Sequence, residues 1–346
     1  MKIVVTGGAG FIGSALIRYL IKNTDYTIIN IDKLTYAGNL DSLLEIRHST
    51  RYFFEKMDIC NKDKLEELFL KYSPDSVIHL AAESHVDKSI EGPQSFIDTN
   101  IIGTFNLLSV SLDYWNSLKS NKKQNFKFQH ISTDEVYGDL NVHEKPFTES
   151  HPYKPSSPYA ASKASSDHLV KAWHRTFNLP ILITNCSNNY GPFHYPEKLI
   201  PLTIINAINQ KNINVYGNGE QIRDWIYVDD HVEALTMVFK KGNIGETYNI
   251  GASNEYTNLE VVKMICEEFN IIKENSLKKN FNFSLSVKDY NNLICFVKDR
   301  PGHDFRYAIN ANKIKKELGW KPKETFSTGL KKTIWWFIEN IDWWKK

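Results

Sequence analysis

The sequence predicts an α/β protein, a doubly wound parallel sheet with a smaller C-terminal lobe, and three observations carry that reading. Through residue 186, short β-branched runs alternate with stretches whose apolar residues recur at helical spacing; such alternation encodes a parallel sheet covered on both faces. The first run passes through closely spaced glycines straight into a helical pattern. Beyond residue 186 the rhythm breaks into loops carrying Pro192, Pro196 and Pro201.

Residues 2–6 (KIVVT) read as the first strand, followed by a turn containing Gly7, Gly8, Gly10 and Gly13 and by the helical SALIRYLIKN. In a strand–turn–helix unit of this kind, glycines allow a tight turn and close backbone approach to a pyrophosphate, which sits on the free N–H groups and positive end of the helix. The spacing satisfies both G-x-x-G-x-x-G and G-x-G-x-x-G, so the register stays open. The second strand, 27–31, leads to Asp32, nineteen positions past Gly13, where an acid binds a ribose 2′-hydroxyl and repels a 2′-phosphate. NAD is therefore favoured over NADP, and the neighbouring Lys33 is the residue that weakens the preference.

Further strands fall at 52–56, 76–81, 126–132 and 181–186. Between them, KDKLEELFLKY (62–72) and FIDTNIIGTFNLLSVSLDYW (96–115) have helical periodicity. Ligands gather at the carboxyl ends of such strands, where the glycine turn, Asp32, Asp58, residues 81–84, residues 133–135 and Asn188 lie. LIPLTIINAINQ (199–210) reads as a helix of the lobe, and the polar stretch 270–292 as a loop-rich insertion. The expected division is a Rossmann-type cofactor domain at 1–186, to which later segments return, and a mainly substrate-binding lobe at 187–346.

With 346 residues, 42% of them apolar, the chain can bury a large core. A net charge of +2 argues against a polyanion-binding surface, and the basic clusters at 119–123 and at Lys278 and Lys279 read as solvated loops. No apolar run approaches a membrane span, and the first residues already read as a strand, so no signal peptide and a cytoplasmic location are expected. Cys60, Cys186, Cys266 and Cys295 are widely spaced, which predicts reduced thiols and neither a disulfide nor a metal site. Trp335, Trp336, Trp343 and Trp344 read as packing residues.

The chemistry concentrates in ISTDEVYG (131–138) and SPYAASK (157–163). Tyr159 and Lys163, four residues apart on a helix, share a face, so the ammonium is expected to lower the phenol toward a useful general base. Thr133 adds a hydroxyl. The acids Asp134 and Glu135 are more than a redox site needs. One carboxyl kept protonated to expel water and one kept ionised to remove a carbon-bound proton is a device of separated pKa values. Together the five groups describe a dehydratase built on a dehydrogenase.

These pieces, with TGGAGFIG (6–13), IDKLTYAGN (31–39), HLAAESHVDKSI (79–90), TNCSNNYGPFHYPEKLIP (184–201), VYGNGEQIRDWIYVDDH (215–231) and DRPGHDFRYAI (299–309), resemble the extended short-chain dehydrogenase/reductases over nearly the whole chain. Within them, the sequence is most similar to the dTDP-glucose 4,6-dehydratases. The Asp–Glu pair resembles the hexose dehydratases rather than the epimerases, and AAESHVDKSI resembles the thymidine-nucleotide members. The sequence departs from the family pattern at Lys88, Phe193, His194 and Asp229, none of them an expected catalytic position.

The resemblance implies oxidation at carbon 4 of dTDP-glucose with Tyr159 as base, aided by Thr133 and Lys163. Removal of the carbon-5 proton by Glu135, protonation of the departing 6-hydroxyl by Asp134 and reduction at carbon 6 follow, giving dTDP-4-keto-6-deoxy-glucose. It implies a tightly held NAD, lined by Gly7, Gly10, Phe11, Ile12 and Gly13, by Asp32, Lys33, Leu34 and Thr35, by Asp58, Ile59, Leu80, Ala81, Ala82, Ser84 and Thr99, and by Tyr159, Lys163 and Asn189. For the nucleotide sugar it implies Ser84, His85, Thr133, Asn188, Lys198, Leu199, Val215 and Tyr216, then Arg223, Asn258, Asp299, Arg300, His303 and Tyr307. Arg223 suits a diphosphate because a guanidinium binds two oxygens at once. His85 equally fits a helix start with ordinary polar packing. The resemblance also implies a homodimer through the helices near 97–115 and 159–176. Two readings compete: a UDP- or GDP-hexose dehydratase or epimerase of the same superfamily, and a non-enzymatic NAD-binding module.

Overall fold

The computed structural model describes residues 1–275 and 286–345. Seven parallel strands form the main sheet: β1 (Lys2–Thr6), β2 (Thr27–Asp32), β3 (Tyr52–Lys56), β4 (Ser76–His79), β5 (Phe128–Thr133), β6 (Ile181–Cys186) and β10 (Thr247–Ile250). Their order is β10-β6-β5-β4-β1-β2-β3. The order reverses between β1 and β4, so a crevice opens there at the carboxyl ends of the strands. β4, β5 and β6 are buried along their whole length, because helices cover both faces, so none shows the in–out alternation of a half-exposed strand.

α1 (Phe11–Asn23) packs on one face beside α6 (Val228–Lys241), sealing Leu16, Leu20, Leu235 and Val238 into one core cluster. On the other face, α2 (Lys62–Tyr72), α3 (Thr104–Ser117) and α4 (Pro158–Phe177) cover Phe128, Ile181 and Ile183. Each such fully buried aliphatic or aromatic side chain contributes about 1.5–3 kcal/mol. The chain leaves this layer after β6 and returns to it with α6 and β10.

The second layer is built on β9 (Ile222–Tyr227), which pairs with β7 (Asn188–Tyr190), β11 (Glu255–Thr257) and β13 (Arg306–Tyr307). β8 (Ile213–Tyr216) pairs with β12 (Ile294–Val297). α5 (Leu199–Ile208), α7 (Asn258–Asn275) and α8 (Phe326–Glu339) close a separate apolar cluster over these strands.

Three expectations shift. β4 stops at His79 because the N–H groups of Leu80 and Ala81 turn onto the Thr6 hydroxyl. The stretch 96–115 is not one α-helix: residues Ile97–Gly103 widen into a π-helical turn before α3 begins. Within 270–292, α7 runs on to Asn275 and a tight turn spans Tyr290–Leu293, while 276–285, with Lys278 and Lys279, lie outside the described residues. Trp336 and Trp343 pack on Phe193, with centroids 4.5 and 5.6 Å away.

Candidate active site

The glycine turn shows why only glycine serves at two of its positions. Gly7 has φ +70°, and a Cβ there would meet the Ala81 nitrogen at 2.6 Å; at Gly13 it would meet the Gly7 carbonyl oxygen at 2.1 Å. Gly10 is less constrained, a Cβ there meeting the Gly7 carbonyl oxygen at 3.3 Å, and it begins α1 with no side-chain cap. The first N–H groups of α1 are thus left facing the cleft, as an anion requires. Asp32 stands at the end of β2, accepting from Ala9 N at 2.9 Å and Leu34 N at 2.8 Å. Lys33 does not offer its charge to a 2′-phosphate: its Nζ donates to the Thr99 hydroxyl at 3.0 Å and lies 3.7 Å from Asp58 and 3.6 Å from Glu83. The cradle therefore fits NAD.

A cleft of about 510 Å³ runs from this turn across the strand ends into the second layer, within the size range of ordinary cofactor and ligand sites. Most of the anticipated residues line it, from the glycine turn, Asp32, Thr35, Asp58, Ile59, Leu80, Ala82, Ser84 and Thr99 to Asn188, Asn189, Lys198, Leu199, Val215, Tyr216, Arg223, Asn258, Arg300 and His303. Leu34, Asp299 and Tyr307 do not line it. Leu34, at φ +58°, serves by its backbone N–H on Asp32. Asp299 accepts from His303 at 2.6 Å and from Gln221 at 2.9 Å. Tyr307 lies under the Arg223 guanidinium, 4.2 Å from its ring centre.

Thr133, Asp134, Glu135, Tyr159 and Lys163 meet at one wall of the cleft. β5 delivers the first three into a short helical turn, whose start is capped by the Thr133 hydroxyl accepting from Glu135 N at 3.3 Å. The Thr133 hydroxyl also donates to Asp134 Oδ1 at 3.3 Å, while Asp134 Oδ2 is buried without a partner among the described residues. α4 presents Tyr159 and Lys163 one turn apart, fixed by Ser157 capping Ala160 N and by Ser89 accepting from Tyr159 N at 3.2 Å.

The two acids differ. Burial, then the neighbouring Glu135 and Asp224, holds the Asp134 carboxyl well above its ordinary value. Burial also raises Glu135, but Arg223, Arg300 and Lys198 oppose it. Asp134 thus holds its proton more tightly than Glu135, the direction of separation an acid–base pair needs. The tyrosine corrects the sequence expectation. Burial first and Glu135 next push the Tyr159 phenol well above its ordinary value, and the Lys163 ammonium donates to the Ile131 carbonyl at 2.8 Å. Lys163 alone does not make Tyr159 a phenolate here, because desolvation of the phenol outweighs it.

Cations gather at the far end. Arg223, buried, donates to the carbonyls of Ile222 at 2.7 Å and Asp304 at 2.9 Å. Lys198 Nζ donates to the Ser84 carbonyl at 3.0 Å, and Arg300 pairs with Asp87 at 3.3 Å. His85 does both things the sequence allowed: it lines the cleft and its Nδ1 accepts from Lys88 N at 3.4 Å, starting a short helix. Sequence reasoning missed Cys186, Ser187, His194, Glu197 and Trp225, which also line the cleft. Lys198 beside Glu197 was a usable signal. His194 carried none, since its place depends on stacking against Phe11 at 4.2 Å across the fold.

A sequence profile of the GDP-mannose 4,6 dehydratase family matches residues 4–333. A dTDP-glucose 4,6-dehydratase of Neisseria meningitidis serogroup B is 57% identical over 344 residues, covering 99% of this chain and 95% of that protein. The crystal structure of a Bacillus anthracis dTDP-glucose 4,6-dehydratase in complex with NAD superposes with a TM-score of 0.85 at 43% identity, covering 100% of this chain and 99% of the other. A Streptomyces venezuelae dTDP-glucose 4,6-dehydratase with NAD and TYD bound gives 0.87 at 38% identity, with the same coverage.

Proposed function

The chain belongs to the dTDP-glucose 4,6-dehydratases, NAD-dependent hydro-lyases, and from that premise we propose how its own residues divide the conversion of dTDP-glucose to dTDP-4-keto-6-deoxy-glucose. NAD, when bound, supplies the acceptor and later the donor of hydride and brings positive charge to the cleft. Tyr159, hydrogen-bonded with Thr133, takes the proton of the sugar's 4-hydroxyl. Lys163 keeps donors for a ribose hydroxyl beyond the one it gives Ile131. A ketone at carbon 4 acidifies carbon 5, where Glu135 removes the proton, and Asp134 protonates the leaving 6-hydroxyl. Arg223, Lys198 and Arg300 supply the positive field for the diphosphate.

The observation that carries this reading is the acid pair beside Tyr159 and Thr133, Asp134 buried and Glu135 half-buried, with Asp134 held higher than Glu135. General acid or base groups placed so contribute about a hundredfold to ten-thousandfold each. The same reading assigns 1–186, with the returning segments, to cofactor binding and the rest mainly to the nucleotide sugar. It includes a homodimer through the π-helical turn, α3 and α4, supported by the exposed Ile97, Ile102, Phe105 and Phe177, and a cytoplasmic location. Among the described residues no helix is long and apolar enough to cross a membrane.

Mass spectrometry after incubation with dTDP-, UDP- and GDP-linked hexoses tests the proposal. Loss of one water from dTDP-glucose alone is expected. Loss from a UDP or GDP sugar in preference, or an isobaric epimer without water loss, would contradict it.

A further inference from the structure

Behind the cleft wall, α4 carries Tyr159, Lys163 and Asp167 at successive four-residue steps, hence on one face. Lys163 is 5% exposed and Asp167 fully buried. Three side chains surround the Asp167 carboxylate: the Tyr153 hydroxyl donates to it at 2.9 Å and Asn185 Nδ2 at 3.3 Å, and His130 Nε2 lies 3.1 Å from its other oxygen. Asn185 Nδ2 also donates to the Thr133 carbonyl at 3.1 Å, tying this carboxylate to the catalytic strand. None of the three cancels its charge. Burial and Lys163 push His130 down to about 4, so its ring is neutral at working pH, and burial first, then Asp167, raises Tyr153.

An ammonium buried without a counter-ion loses its proton or draws in water. The ionisable groups facing Lys163 are Tyr159 and Asp167 on α4, Cys186 on β6, and His79 and His130 on β4 and β5. Those facing Asp167 are His130, Tyr137, Tyr153 and Lys171 in addition to Lys163. Of the groups around Lys163, burial raises Tyr159 and Cys186 and lowers both histidines, which leaves them neutral. Asp167 is the anion of this set. Burial lowers Lys163, and Asp167 is the largest influence opposing it.

We propose that Asp167 is a positioning residue of the oxidation at carbon 4, the buried counter-ion that keeps Lys163 charged and its ammonium set against the Ile131 carbonyl. The proposal rests on the assignment of Lys163 to that oxidation. Asp167→Asn keeps the shape and removes the charge. The alkaline limb of the turnover rate, where Lys163 loses its proton, should then move down by about one pH unit or more, with KM for dTDP-glucose on the plateau little changed. A uniform loss of rate with the limb unmoved would overturn the proposal.

A stability cycle covers the case of a poorly folding variant. Thermal midpoints of Asp167→Asn, Lys163→Met and the double variant, all purified with the same NAD supplement, should show the double losing less than the sum of the singles. Additive losses would overturn the pairing. A sub-additive cycle with an unmoved alkaline limb would instead overturn the assignment of Lys163 to the oxidation, and the positioning role with it.

Discussion

Asp134 and Glu135 are neighbours in sequence but not in environment. Asp134 turns an unpartnered oxygen into the interior, whereas Glu135 faces three cations across the cleft. If those environments set the roles, Asp134→Asn and Glu135→Gln keep NAD and the initial oxidation but slow elimination, by about a hundredfold or more each. A substrate carrying deuterium at carbon 5 separates them: exchange of the label into solvent should nearly vanish in Glu135→Gln and survive in Asp134→Asn. Wild-type exchange in Glu135→Gln would remove that residue from proton abstraction. Most of this wall was legible in sequence because adjacency and helical spacing fix it locally. What was not legible is the state of Tyr159. The phenol's desolvation depends on residues from several elements closing over it, and spacing to Lys163 carries no information about that.

At the scale of elements, the strand–glycine–helix unit was readable because its steric demands are local: a side chain at Gly13 collides with its own turn at Gly7. The π-helical turn at Ile97–Gly103 was not, since its apolar residues keep a helix-like period while the backbone widens; there Asn100 donates to the Glu83 carbonyl at 3.0 Å and to Ser162 at 2.8 Å. That later segments return to the main sheet was expected, but not that they are α6 and β10, because no local pattern says which sheet a strand joins. α6 carries a testable consequence. His231, fully buried, donates from Nδ1 to Asn189 Oδ1 at 2.7 Å, while Nε2 is buried without a partner among the described residues. Burial pushes its pKa down to about 3. A histidine neutral in the folded state and protonated when unfolded loses stability as pH falls below its unfolded value near 6.5. His231→Gln should therefore cost stability at pH 8, with the deficit shrinking by about 1.4 kcal/mol per pH unit below about 6.5. Denaturant titrations across that range check it, and a deficit independent of pH would show that the ring is charged or hydrated in the fold.

At the scale of the molecule, two layers with separate apolar clusters enclose one cleft, whose shape is set by the packing between them. The proposed homodimer would cover the exposed Ile97, Ile102, Phe105 and Phe177 of the π-helical turn, α3 and α4. Light scattering should give twice the chain mass, and a concentration-independent monomer would refute the dimer. Within one cleft, oxidation and elimination share a cofactor that is returned to its starting state each turnover, which makes the hydrogen taken from carbon 4 the one restored at carbon 6. The most direct test uses dTDP-glucose deuterated at carbon 4 and follows the product by mass spectrometry and NMR. The product should have lost one water and carry the deuterium on carbon 6, with no net accumulation of reduced cofactor. A dehydrated product without the label, or stoichiometric reduced NAD, would contradict the account.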